Sequence, residues 1–219
     1  MSREYEVERF DVEGLTVRIV QDPDPQDPRE DDNLGTMVCW HRRATLGDGG
    51  LYTRKGMEQF KFAEPQDYYR WKELTSEDGD PVAVELPLSL YEHGGMTMWA
   101  GRPGEGPPGT NCQWDSGQVG YIFVTRKKAL ADMGWKLLTM TRLQKLTEIL
   151  TSEVKTYDQF LQGDIYGYVV EDVEGESLDS CWGFYGMEEV RSEGKGAAEC
   201  ILAEREKARK DEQEERDGA

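Results

Sequence analysis

The longest regular pattern of apolar positions in the chain is a stripe at Leu143, Leu146, Leu150, Val154, Tyr157 and Leu161. Steps of three and four residues place these side chains on one face, which predicts an amphipathic helix from about Arg142 to Gln162. Thr141 and Gln144 have capping-box spacing at its start, and Gly163 is a natural stop. Alternating patterns predict a hairpin on either side of this central region. The first covers Glu4–Val20, turning through Asp11-Val12-Glu13-Gly14; the second joins Ile165–Glu171 to Ser177–Tyr185 through Asp172-Val173-Glu174-Gly175. The same tetrapeptide closes both hairpins. Because the flanking sequences do not match, a shared turn type accounts for this better than a repeat.

Between the hairpins the pattern is shorter-ranged. Asp22–Pro28 holds three prolines and predicts extended loop. Thr36–Arg43 reads as a strand ended by Gly47-Asp48-Gly49-Gly50. Short helices are expected over Gly56–Ala63 and Pro65–Leu74, the second with proline at its first position, where no hydrogen bond is lost. Val82–Tyr91 reads as a strand that Pro87 should confine to an edge or a bulge. Gly101–Gly109 is loop by composition. Val119–Val124 is a strand followed by a helix that Thr125 caps and Gly134 stops. These elements predict an α+β fold, a mostly antiparallel sheet built from hairpins and packed against one long amphipathic helix and shorter helices. A single acidic domain is expected over residues 1–186, with a charged helix or disordered tail over 187–219, where apolar residues thin out.

Composition sharpens this picture. A chain of 219 residues is long enough to bury roughly 70% of its unfolded surface without metals or disulfides. Ten Tyr, six Trp and six Phe offset a hydrophobic fraction of only 37%. The cysteines Cys39, Cys112, Cys181 and Cys200 show no paired spacing, and Cys39 and Cys181 sit in apolar runs where a thiol serves as a small hydrophobe. The charged opening and the lack of any apolar run near 20 residues predict no leader and no membrane span, hence a cytoplasmic protein.

The net charge is −18, from 44 acids against 26 bases, which argues against direct binding to nucleic acid or anionic membrane. The acids are unevenly placed. The first 32 residues hold eleven acids and four bases, and no Lys or Arg occurs between Thr156 and Gly186, where Asp158, Asp164, Glu171, Asp172, Glu174, Glu176 and Asp179 fall. If the two hairpins share a side of the fold, their carboxylates form a field suited to a basic partner. Duplex DNA carries one charge per roughly 1.7 Å of axis, so a protein that imitates it needs such a row.

Candidate chemistry elsewhere is thin. Asp22, Asp24 and Asp27 lie in an oxygen-rich loop of the kind that binds hard cations, but the glycine and glutamate of a calcium-binding loop are missing, and a solvated loop explains the acids more simply. His41, His93, Cys112 and Asp115 could supply a thiol nucleophile, its base and an orienting carboxylate, or zinc ligands, although no two have close ligand spacing. Arg42-Arg43 is a basic spot expected to pair with carboxylates such as those of the 22–32 loop. Nucleotide-binding and hydrolase motifs are absent, so no cofactor is expected and the reading leans away from an enzyme.

Three blocks carry a resemblance: Asp32–Arg43 (DNLGTMVCWHRR), Trp114–Ile122 (WDSGQVGYI), and Tyr157–Leu161 with Gly163–Gly186. They resemble a family of uncharacterised proteins carried by bacteriophages and mobile elements. The resemblance implies a genomic setting and no activity, and it carries over no catalytic residue. With the charge distribution, it gives the leading expectation: an accessory protein that binds a host protein with a basic, nucleic-acid-binding groove, of the anti-restriction or anti-CRISPR kind. The alternative is a small metal-dependent or thiol enzyme built on His41, His93, Cys112 and Asp115.

Overall fold

The computed structural model describes residues 5–48, 52–53, 59–60, 64–110 and 114–217. In chain order these form β1 (Glu6–Val12), β2 (Leu15–Gln21), a 3-10 turn (Pro28–Glu30), β3 (Thr36–Cys39), β4 (Tyr52–Thr53), β5 (Gln59–Phe60), α1 (Pro65–Glu77), β6 (Val82–Glu92), β7 (Met96–Ala100), β8 (Ser116–Thr125), α2 (Arg126–Asp132), α3 (Met140–Gln162), β9 (Ile165–Glu171), β10 (Ser177–Tyr185) and α4 (Met187–Asp217). The fold is α+β, as expected, with two antiparallel four-stranded sheets ordered β1-β2-β9-β10 and β3-β8-β6-β7. The chain divides into two compact units. Unit 1 combines residues 1–26 with 163–219, and unit 2 is residues 27–162.

Unit 1 unites the two predicted hairpins in one sheet through antiparallel pairing of β2 with β9, from Thr16↔Glu171 to Gln21↔Tyr166. At the open end of this pairing, Asp22 N donates to Ile165 O (2.9 Å) and Gln21 Nε2 to Gly163 O (3.0 Å). One face of the sheet is covered by α4, whose Val190 and Ala198 are buried against Val17, Ile19, Tyr168 and Val170. The approach is close at Gly194, where a Cβ would come within 2.9 Å of Val17 and 3.0 Å of Tyr168. The composition change at Met187 is thus the start of a helix whose first half is docked, while Ala203–Arg216 are exposed.

The two Asp-Val-Glu-Gly segments do not share a turn type. In the first, Val12 pairs with Leu15 and the loop is Glu13-Gly14 alone, both at positive φ (51° and 89°), the two-residue turn that matches strand twist. In the second, Ser177 pairs with Glu171 across a five-residue loop in which only Gly175 (φ 83°) is left-handed. There Asp172 N donates to Glu176 O (3.0 Å) and Gly175 N to Asp172 O (3.1 Å), so the same letters close a longer loop.

In unit 2, α3 buries Leu146, Leu150, Val154 and Tyr157 against Met37, Leu88, Leu90, Met98 and Ile122 of the sheet, so the predicted stripe is the core-facing one. The helix begins two residues before its predicted start: Thr139, rather than Thr141, accepts from Arg142 N through its hydroxyl (3.3 Å). A separate cluster of Val38, Tyr68, Trp71 and Phe123, with Trp40, Val82 and Tyr121, joins α1 to the sheet. Thr125 caps α2, and Gly134 follows it at φ 64°.

Pro87 stands in a central strand beside a shift in register with β8 between Leu88 and Ser89, so of the expected edge or bulge it is the irregularity that is found, and the geometry explains the central position. Its carbonyl accepts from Gly101 N (2.8 Å), so its nitrogen, which points to the same side, faces the β7 flank. Pairing of β6 with β7 begins only at Leu88↔Ala100, so no ladder donor is lost. A correction concerns Gly56–Ala63: Gln59–Phe60 pairs as a strand with Tyr52–Thr53, and the rest of that segment lies outside the described residues. β7 itself was not anticipated, since five residues ending in Trp99-Ala100 show too little alternation. Cys181 is exposed rather than a core thiol, whereas Cys39 is buried enough to push its thiol up to about 12.

Candidate functional site

The acidity is concentrated in one unit. Unit 1 holds 24 acids and 10 bases, against 20 and 16 in unit 2, so −14 of the −18 charges belong to the unit that contains both hairpins. Of the seven carboxylates singled out in the base-free stretch, six lie there and Asp158 lies in unit 2. Asp158 accepts from Met98 N (2.7 Å) and Gln162 Nε2 (2.7 Å), which ties α3 to β7.

Most of the six have work within the sheet. Glu171 accepts from Arg18 Nε (2.8 Å), Arg18 also reaches Glu6 (3.5 Å), and Glu6 pairs with Arg9 (2.9 Å), an ion ladder across β9, β2 and β1. The Arg9 guanidinium holds the Glu6 carboxyl below its usual range. Asp172 accepts from Glu174 N and Glu176 N (both 2.9 Å), bracing its loop. Asp179 accepts from Tyr168 Oη (3.1 Å), and Asp164 accepts from the Tyr166 phenol. Glu174 and Glu176 remain: both are exposed, and their carboxylates pair with no described residue.

These two glutamates lead directly into β10, an edge strand. Every residue from Ser177 to Gly183 is exposed, including Leu178 (37%) and Trp182 (38%). The register with β9 skips at Leu178 and again at Trp182-Gly183, where Gly183 adopts φ 85°. Trp182 lies over Gly167 so closely that a Cβ there would meet the indole at 2.3 Å. Glycine at 167 therefore makes room for a tryptophan that is still more than a third exposed.

The second group of candidates sits at one end of the unit 2 sheet. His41 Nε2 lies 3.5 Å from Glu92, and Arg43 donates to the same carboxylate (2.7 Å). Arg43 is thus paired, with Glu92 instead of the 22–32 loop. His93 Nδ1 is 3.7 Å from Asp115, and Glu92 N donates to Asp115 O (2.9 Å). Glu92, which sequence reading passed over, connects the two histidine sites; an acid at the end of an alternating strand gives no signal of its own. His41 Nδ1 accepts from Ala44 N (3.1 Å), so this ring is already engaged in holding its loop. His93 is exposed, and Cys112 lies outside the described residues. Among the described residues no three of His, Cys, Asp and Glu gather as metal ligands. Asp22 accepts from Asp24 N (3.0 Å), and Asp27 caps the 3-10 turn through Arg29 N (2.8 Å).

A third polar group lies between α1 and the unit 2 sheet. Tyr68 donates to Glu85, which also accepts from Lys72 Nζ (2.6 Å), and Tyr69 and Tyr121 share a hydroxyl contact of 2.7 Å. Burial, reinforced by Glu85, drives the Tyr68 phenol far above its usual range. Burial likewise pushes Tyr157 and Tyr168 up to about 12, the latter helped by Asp179. The fold therefore holds the neutral phenols. Stability should be unaffected by these groups below pH of about 10, where unfolded tyrosine ionises, and should fall as pH rises from there toward 12. A near-ultraviolet phenolate titration of the native protein should show a late fraction that ionises only with unfolding. Full ionisation of all ten tyrosines at the ordinary pKa, with the fold intact, would contradict the burial described here.

Searches against protein-family models, curated proteins and solved structures return no match. No helix among the described residues is long and apolar enough to cross a membrane.

Proposed function

We propose that this protein is a binding module that occupies a basic, nucleic-acid-binding surface on a host protein. In this reading it is a cytoplasmic accessory factor of a phage or mobile element that restrains a host defence nuclease by imitating the charge of DNA. One observation carries the reading. Within the base-free stretch, Val173–Gly183 forms an exposed loop and edge strand, with Glu174 and Glu176 unpaired, on the unit that holds 24 acids against 10 bases. Carboxylates left without internal partners keep their charge available for a partner at little cost in stability. Complementary charge of this kind raises association rates and excludes acidic partners.

The test is a pull-down from host lysate at low and high salt, followed by competition with duplex DNA. The expected result is retention of a nucleic-acid-binding protein at low salt and its displacement by the duplex. The E174K/E176K variant should bind that protein roughly tenfold more weakly, a loss of about 1.4 kcal/mol. If low salt retains no basic, nucleic-acid-binding protein, the reading is wrong.

A further inference from the structure

We propose that the free edge of β10 accepts a short, basic, extended segment of the partner as an added strand. The inference rests on the reading above and specifies how that partner is held. An antiparallel strand turns half its backbone N–H and C=O groups away from its neighbour, so an edge is a template for pairing unless something covers it. Two of the other three edges of the large sheets have backbone groups engaged from within the chain. β3 is bridged at Val38 by Gly47, and Asp48 binds both the N–H and the carbonyl of Met37. On β7, Met98 N is taken by Asp158. β1 differs from β10 in its side chains rather than in backbone cover: its charges are paired, Arg9 with Glu6 and Glu8 with Arg191 of α4. Along Ser177–Gly183 of β10 the backbone meets only its own side chains outside β9, Ser180 N donating to Asp179 Oδ1 (2.9 Å) and Cys181 Sγ to Trp182 O (3.9 Å), and no other described segment covers it.

The side chains choose the occupant. Leu178 and Trp182 offer apolar contact at two exposed positions, while Glu174, Glu176 and Asp179 place carboxylates around them. A second copy of this chain would bring two units of 24 acids and 10 bases together at this edge, and like-charge juxtaposition opposes that pairing. A segment in which Lys or Arg alternates with apolar residues meets both features. Ser177–Gly183 spans seven residues, roughly 23 Å at 3.3 Å per residue, so the segment is of that length. Main-chain hydrogen bonds supply affinity in this mode of recognition, and alternate side chains supply specificity.

The experiment uses the full isotope-labelled chain and a seven-residue peptide alternating lysine with valine, at low salt. A second peptide of equal charge carries proline in place of valine and cannot pair as a strand. The expected result is at least tenfold greater amide-exchange protection within Ser177–Gly183, none along β1, and at least tenfold weaker binding of the proline peptide. Binding of the valine peptide should also fall about tenfold in E174K/E176K and less in E174Q/E176Q. Equal binding of both peptides, or protection that maps elsewhere, would overturn strand addition and leave the acidic-module reading standing. Protection of β10 that grows with protein concentration alone would assign the edge to a second copy and likewise overturn it. If neither peptide binds, both the edge proposal and the function it rests on fail.

Discussion

Replacing Arg29 with alanine is expected to destabilise unit 2 by about 3–5 kcal/mol, the usual cost of breaking a buried ion pair on one side. The Arg29 side chain is 3% exposed. Its Nε donates to Asp48 (2.6 Å), Nη1 to Glu153 (3.0 Å) and Nη2 to Gly35 O (2.7 Å). Glu153 in turn accepts from Leu34 N (2.9 Å) and Gly35 N (3.1 Å), and Asp48 from Met37 N (2.8 Å). One guanidinium therefore neutralises two carboxylates that anchor the start of β3 to α3. Without it, both charges stay in a half-buried site with only backbone donors. Urea unfolding followed by tryptophan fluorescence should show the loss clearly, because five of the six tryptophans (all but Trp182) belong to unit 2. Replacing the whole network with neutral groups of similar shape, as in R29M/D48N/E153Q, should cost less than Arg29→Ala alone. If the single variant is as stable as the parent, the network contributes nothing and this account of the loop is wrong.

Gly120→Ala should be nearly as damaging, at about 3 kcal/mol, and for a steric reason. Gly120 pairs with Cys39 on β3 and with Leu88 on β6, at the centre of the unit 2 sheet. A Cβ there would stand 2.0 Å from the Val38 carbonyl oxygen and 3.1 Å from Cys39 Cα. These are backbone atoms, which cannot swing aside as a flexible side chain would, so β3 must shift and Trp40 N would lose its bond to Val119 O (2.8 Å). Thermal unfolding of the variant should show the drop. By contrast, Gly117→Ala, three residues earlier on the same strand, meets nothing within 4 Å and should be nearly neutral. Equal effects at the two positions would count against the packing described.

What could be read from the sequence follows from how local each determinant is. The α3 stripe, the Pro65 helix start, the Thr125 cap, the Gly134 stop and both hairpins depend on residues within one or two turns of each other, and their signals are intact in the linear pattern. The pairing of β2 with β9 joins Thr16 to Glu171, and no short window contains that information. For the same reason the division into two units was not legible, nor was the burial of Arg29, which depends on Glu153. The candidate surface was half legible. A run without Lys or Arg from Thr156 to Gly186 is visible at once, but which of its acids are spoken for is decided by cross-strand neighbours such as Arg18 and Tyr168. Only Glu174 and Glu176, in the loop where no neighbour reaches them, keep the freedom that sequence reading granted to all seven.

The split of unit 1 around unit 2 has a consequence for how the molecule is made. The β1–β2 hairpin leaves the ribosome before unit 2, yet a lone two-stranded hairpin is marginal in water, and β2 finds its second neighbour only when Ile165–Glu171 has been synthesised. Unit 2 is a single uninterrupted segment and can condense while the first hairpin still waits. At a translation rate of roughly 5–20 residues per second, that wait lasts on the order of ten seconds. A nascent or prematurely ended chain would thus carry a folded unit 2 without β9, β10 and α4. The acidic sheet, and any binding that depends on it, comes into being only after the whole of unit 2 has been synthesised.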